Sequence, residues 1–149
     1  MSVVEVKIQI GAPIERVWET IMDPARLGDW VTIHRSVSGA PSPPLREGAT
    51  MDQSLALRGV SFNVHWTLAH VDPPHVAQWD GRGPAHSRAR IRYELRAGDT
   101  DTTVFEYTNE FAAPGGMLGV VASRVIVGAA SEREAHNSLQ RLKALLERN

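Results

Sequence analysis

From residue 33 to residue 112 the chain carries no helical stripe, only successive stretches in which apolar and polar residues alternate. That alternation has the period of a β-strand with one buried face. It predicts strands over 33–38, 50–58, 60–71, 75–81, 86–96 and 102–112. The interruptions are rich in turn formers: APSPPLREG, the lone Gly59, DPPH, GRGP and AGDTD. Helical periodicity is confined to the flanks. At the front, Val4, Val6, Ile8 and Ile10 alternate as a further strand, and Ile14, Val17, Trp18 and Ile21 then form a helical stripe behind Pro13. Asp23-Pro24 ends that helix, and Pro24 opens a second short one through Leu27 with Asp23 as its N-cap. From Met117 the helical period returns, and Leu139, Leu142 and Leu146 share one face of the tail SLQRLKALLE. A run of strands segregated from helices predicts an α+β fold, with an antiparallel sheet and helix packed on one side.

A chain of 149 residues is most economically one domain over 1–149, and APSPP is too short to separate two. Lys and Arg total 16 against 17 Asp and Glu, so no global positive field draws in nucleic acid. With no cysteine there is no disulfide, thiolate metal site or cysteine nucleophile. The opening MSVVEVKIQI lacks a signal-peptide pattern, and the longest apolar run, Met117 to Ala130, contains Arg124 and falls short of the ~20 residues that span a bilayer. The expectation is a soluble, cytoplasmic protein without a transmembrane segment. GRGPAH fails the spacing and context of a dinucleotide loop, and no HExxH, GxSxG, P-loop or EF-hand pattern occurs. His70 and His75 flank a turn, but two histidines without a carboxylate pattern do not make a metal site. Neither a metal nor a cofactor is expected.

Three phrases carry a resemblance: APIERVWETIMDPARLGDW at the front, HVDPPHVAQWDGRG in the middle, and TVFEYTNEFAAPGGMLG leading into SLQRLKALLE. Together they span nearly the whole chain. They resemble the START-like (SRPBCC) superfamily, and within it the polyketide cyclase/dehydrase-like branch. The resemblance implies a helix-grip fold, in which a curved antiparallel sheet of about seven strands wraps a long C-terminal helix. The two short helices would then close one end over a cavity between sheet and helix, with DPARLGDW part of the closure. Trp30 at its end either anchors the core or rests against a bound molecule.

Within such a fold, strand parity assigns the lining. Apolarity puts Phe62, Val64, Trp66 and Leu68 inward on one strand, Ala77 and Trp79 on the next, and Ala89, Ile91, Tyr93 and Leu95 on another. Met51, Gln53, Leu55 and Leu57 alternate likewise, which turns the Gln53 amide inward. The last strand has two readings: apolarity points Phe105, Tyr107, Asn109 and Phe111 inward, whereas the family phrase favours Val104, Glu106, Thr108 and Glu110. The arginines of HSRARIRYELR fall on the opposite parity and read as solvated surface. On the long helix Met117, Val121 and Val125 are placed to form a cavity floor, and Arg124 either holds an anionic head group or reaches the surface.

The expected ligand cavity therefore comprises Trp30, His34, Gln53, Phe62, Trp66, Trp79, Tyr93, Phe105, Tyr107, Asn109, Met117, Val121, Arg124 and Val125. The expected function is binding of a small hydrophobic or aromatic ligand, such as a lipid, polyketide or quinone-like compound. An enzyme resembling polyketide cyclases or dehydratases is the alternative; it would use pocket positioning with Gln53, His34, Tyr93, Tyr107 and Asn109 as polar groups. A protein-interaction module is the third reading. No nucleic-acid partner is expected, and a homodimer stays open.

Overall fold

The computed structural model of the protein describes residues 2–112 and 117–148, with side chains at 3–112 and 132–148. Strand β1 (Ser2–Ile10) leads into helix α1 (Ile14–Ile21), a 3-10 turn (Pro24–Arg26) and the single-turn helix α2 (Leu27–Trp30). Six strands follow: β2 (His34–Ser38), β3 (Thr50–Leu57), β4 (Val60–Asp72), β5 (Val76–Arg82), β6 (Arg88–Ala97) and β7 (Thr103–Ala112). The chain then forms the long helix α3 (Met117–Glu147). The strands make one curved sheet in the order β1-β7-β6-β5-β4-β3-β2, with every neighbouring pair antiparallel. Strands β2 to β7 form a meander, and β1 returns beside β7. This is the helix-grip α+β architecture.

Local chemistry explains the joints. Asp23 caps the 3-10 turn by accepting from the Ala25 N–H at 3.0 Å, and Pro24 occupies its first position, where a missing N–H costs nothing. The β3–β4 hairpin closes through Arg58 and Gly59, both at positive φ (52° and 79°), as a two-residue turn matching strand twist requires.

The inner face of the sheet packs on α3. Leu139 and Leu142 are fully buried and Leu146 nearly so, meeting Ile10, Leu68, Leu95 and Phe105 in one core. Each such side chain contributes about 1.5–3 kcal/mol on burial. Near its C-terminus α3 also grips the β1 edge: Lys143 donates to the Gln9 carbonyl at 2.8 Å, and Glu147 accepts from the Gly11 N–H at 2.6 Å. The Lys143 ammonium and the Gly11 amide together hold the Glu147 carboxyl below its ordinary range. Beneath this grip the buried Thr103 hydroxyl donates to the Ala12 carbonyl at 2.7 Å.

The outer face carries the charges. Arg90 reaches Asp80 (3.1 Å) and Glu110 (3.9 Å), Arg92 pairs with Glu94 (2.6 Å), and Glu106 sits between Lys7 (3.6 Å) and Arg96 (3.5 Å). Glu106 therefore faces outward, while Phe105 on the opposite parity has no exposure at all. Partly solvated pairs of this kind add ~0–1 kcal/mol each, so they organise the surface more than they stabilise the fold. His70 pairs with Glu47 and the His75 ring faces the Leu95 carbonyl. Among the described residues no group of three or more His, Cys, Asp or Glu is placed to hold a metal ion.

Candidate functional site

Between the inner face of the sheet and the layer of α2 and α3 lies a cavity of about 150 Å³. Its sheet wall is built from alternate residues of β3 to β7, and parity places Gln53, Phe62, Trp66, Trp79, Tyr93, Tyr107 and Asn109 on it. Leu27 and Trp30 of α2 lie opposite, joined by Glu134, Ala135 and Ser138 of α3. The lid is fastened to the long helix by Thr32, whose N–H donates to the Ser138 hydroxyl at 3.0 Å and whose own hydroxyl donates to Glu134. Neither tie is visible in the sequence, because residues about a hundred positions apart meet only through the tertiary fold.

Trp30 is 1% exposed and meets Tyr93 edge-on, with ring centroids 6.2 Å apart. Tyr93 stacks on Tyr107 at 6.1 Å, and both stand edge-on to Phe105, at 5.5 and 6.5 Å. Phe105 thus supports the tyrosines and does not itself line the cavity. His34 also lies outside the lining, at the start of β2, where it braces the wall from behind. The side chains of Met117, Val121, Arg124 and Val125, expected to contribute floor and head-group contacts, lie outside the described residues, as do Gly115 and Gly116.

Hydrogen bonding fixes one half of the wall. The Trp66 indole N–H donates to Gln53 Oε1 at 2.9 Å, and since an indole can only donate, the Gln53 amide is oriented without ambiguity. Gln53 Nε2 then donates to His34 Nδ1 at 2.9 Å, which requires that nitrogen to be unprotonated. Gly81, opposite Trp66 in the register, gives the indole its room: a Cβ there would stand 2.6 Å from the Trp66 ring.

Burial lowers the His34 pKa below its ordinary 6.5, and protonation would also set an N–H against the Gln53 amide. The unfolded chain therefore takes up this proton first as pH falls. The stability tied to neutral His34 is complete above about pH 6.5 and declines as pH drops toward the lowered native value. Urea unfolding of the wild type and of His34→Gln should show the wild type losing its advantage as pH falls below about 6.5. A stability difference constant across that range would remove His34 from the network.

The other half of the wall is incompletely satisfied. Asn109 Nδ2 donates to the Tyr107 hydroxyl at 3.4 Å, but Asn109 Oδ1 and Trp30 Nε1 are both buried with no hydrogen-bond partner among the described residues. Burial pushes the Tyr107 phenol up to about 12, partly offset by the Asn109 bond. Burial raises Tyr93 further, and the neighbouring Tyr107 adds to the shift. At neutral pH both tyrosines are uncharged hydroxyls. Among the described lining residues only Glu134 is charged, and the Thr32 hydroxyl already engages its carboxylate.

Comparison with known proteins agrees with this architecture. An aromatase/cyclase, Zhui, from Streptomyces sp. R1128 superposes with a TM-score of 0.79 at 19% identity, over 98% of this chain and 93% of that one. A Chromobacterium violaceum protein superposes with a TM-score of 0.76 at 15% identity over the full length of both chains. In sequence, a Mycobacterium tuberculosis protein described as a toxin is 23% identical over 133 residues, covering 89% of this chain and 90% of its own. The model of the family described as polyketide cyclase/dehydrase and lipid transport matches residues 1–147. With its helix-grip fold and the family pattern running through nearly every element, the chain belongs to the polyketide cyclase/dehydrase and lipid transport family.

Proposed function

We propose that the protein binds a small, predominantly apolar ring compound in the cavity between the sheet and the α2–α3 layer. The observation that carries this reading is the cavity itself, about 150 Å³ with aromatic and aliphatic walls. An apolar void of roughly that size accepts one benzene ring, whereas drug-sized ligands occupy pockets of about 300–1,000 Å³. The volume therefore favours a single ring over an extended polyketide or a long acyl chain.

Binding is favoured over catalysis by the chemistry of the described lining. The two tyrosines remain protonated at neutral pH, Glu134 is engaged by Thr32, and the Gln53 amide is committed on both sides. General acid–base catalysis needs a group that exchanges its proton near the working pH, and neither the two tyrosines nor the Gln53 amide is set up to do so. Among the described residues no helix is long and apolar enough to cross a membrane. Assignment to the cytoplasm and to one domain over residues 1–149 belongs to the same proposal; the length supports the single domain, and a composition without cysteine is compatible with a reducing compartment.

The test is native mass spectrometry of freshly purified protein, followed by denaturing extraction and, in parallel, calorimetric titration with toluene and with phenol. The expected result is saturable binding of one ring per chain, with any copurified compound lost on denaturation. An unliganded mass together with no saturable binding of either ring would overturn the reading.

A further inference from the structure

Two polar groups in the cavity wall lack partners among the described residues, one a donor and one an acceptor. Trp30 Nε1 carries a hydrogen that no described residue receives, and Asn109 Oδ1 offers lone pairs to no described donor. Both residues line the cavity, Trp30 from the lid and Asn109 from β7. The aromatic series between them is continuous, since Trp30 meets Tyr93, Tyr93 stacks on Tyr107, and Tyr107 receives the other end of the Asn109 amide. Buried polar groups in folded proteins are almost always paired, so an orphan donor and an orphan acceptor on one cavity point to something that binds there. The same wall shows the usual case: Trp66 Nε1, equally buried, is satisfied by Gln53.

We infer that the ligand of this cavity carries a neutral hydroxyl on its ring, in the manner of a phenol or an enol, which accepts from Trp30 Nε1 and donates to Asn109 Oδ1. This rests on the ring-binding reading above and narrows it. A hydrocarbon ring would leave both groups unpaired. A quinone or ketone, which only accepts, would serve Trp30 and abandon Asn109. A phenolate or carboxylate would press negative charge against the Asn109 oxygen, and among the described lining residues there is no Lys or Arg to balance it. A hydroxyl both donates and accepts, so it also serves the Asn109 amide if its two ends exchange places. One hydroxyl suffices where the two partners converge on it, and a dihydroxylated ring serves them separately; the shared chemistry is the uncharged aromatic hydroxyl. In the free protein a water molecule can fill the same role. A ligand that displaces such a water without replacing its hydrogen bonds loses affinity.

Phenol and toluene are close in shape and differ in this group, which makes them the probes. Calorimetric titration at neutral pH is expected to show the phenol-to-toluene affinity ratio falling about fivefold in Trp30→Phe and in Asn109→Leu, each removing one net hydrogen bond. Independently of any variant, the indole N–H resonance of Trp30 in the wild-type protein should move downfield on titration with phenol and not with toluene. The proposal is overturned if both rings bind but the ratio is unchanged in the two variants, or if the Trp30 resonance responds alike to both. If neither ring binds, the ring-binding reading itself fails, and this inference with it.

Discussion

Replacing Phe105 with alanine is expected to destabilise the fold by about 3–5 kcal/mol, the range for removing a fully buried aromatic side chain. Phe105 has no exposed surface, and on β7 it stands opposite Ile8 of β1 and Leu95 of β6. Its ring holds Tyr93 and Tyr107 edge-on, a geometry that contributes roughly 0.5–1.5 kcal/mol per pair beyond area burial. The void left behind would lie directly under the two tyrosines of the cavity wall, whose rings could sink into it. Urea unfolding should therefore show a lower midpoint with an unchanged slope, against a total stability of about 5–15 kcal/mol for domains of this kind. A loss below about 1 kcal/mol would mean that β7 does not present this residue to the core.

The second large effect concerns binding. Ala135 is 7% exposed on α3 and lines the cavity between Glu134 and Ser138. In Ala135→Phe the new ring occupies the space proposed for the ligand. Affinity for toluene should fall by up to about 100-fold, because the probe forfeits about 1.5–3 kcal/mol of ring burial. Stability should change little, since filling a void restores contacts that an empty cavity lacks. Calorimetry and unfolding on the same preparation separate the two. Unchanged toluene affinity in a well-folded variant would place the ligand elsewhere.

The sheet is legible in the sequence because each strand has one wet and one dry face, so the chemistry of alternate residues announces both the strand and its inward parity. The same rule settles β7: Phe105, Tyr107 and Asn109 follow apolarity inward, and Glu106 goes outward to Lys7 and Arg96. Parity cannot distinguish depth, which is why Phe105 reads as cavity lining yet lies beneath it. It also says nothing about partners across strands. The bond from Gln53 to His34 joins residues that are not register partners, beside an irregularity between His34 and Ser36, and the bond from Trp66 to Gln53 runs diagonally between neighbouring strands. Leu45 is buried in the core although it sits in a stretch dense with proline, where a single apolar residue has no period to give it away. Glu134 and Ser138 escape notice for a different reason. On a helix they are ordinary polar residues, and only the arrival of Thr32 from the lid gives them a role.

Of the four tryptophans in the chain, Trp30, Trp66 and Trp79 line the cavity, and Trp18 on α1 does not. The protein's ultraviolet emission therefore originates largely at the walls of this cavity, with Tyr93 close enough to Trp30 to pass excitation to it. The committed indole of Trp66 and the uncommitted one of Trp30 should respond differently to an occupant: the first to displaced solvent, the second to a new hydrogen bond. Occupancy becomes visible as a change in the colour and intensity of intrinsic fluorescence, so libraries of unlabelled compounds can be screened with no reporter beyond the chain itself.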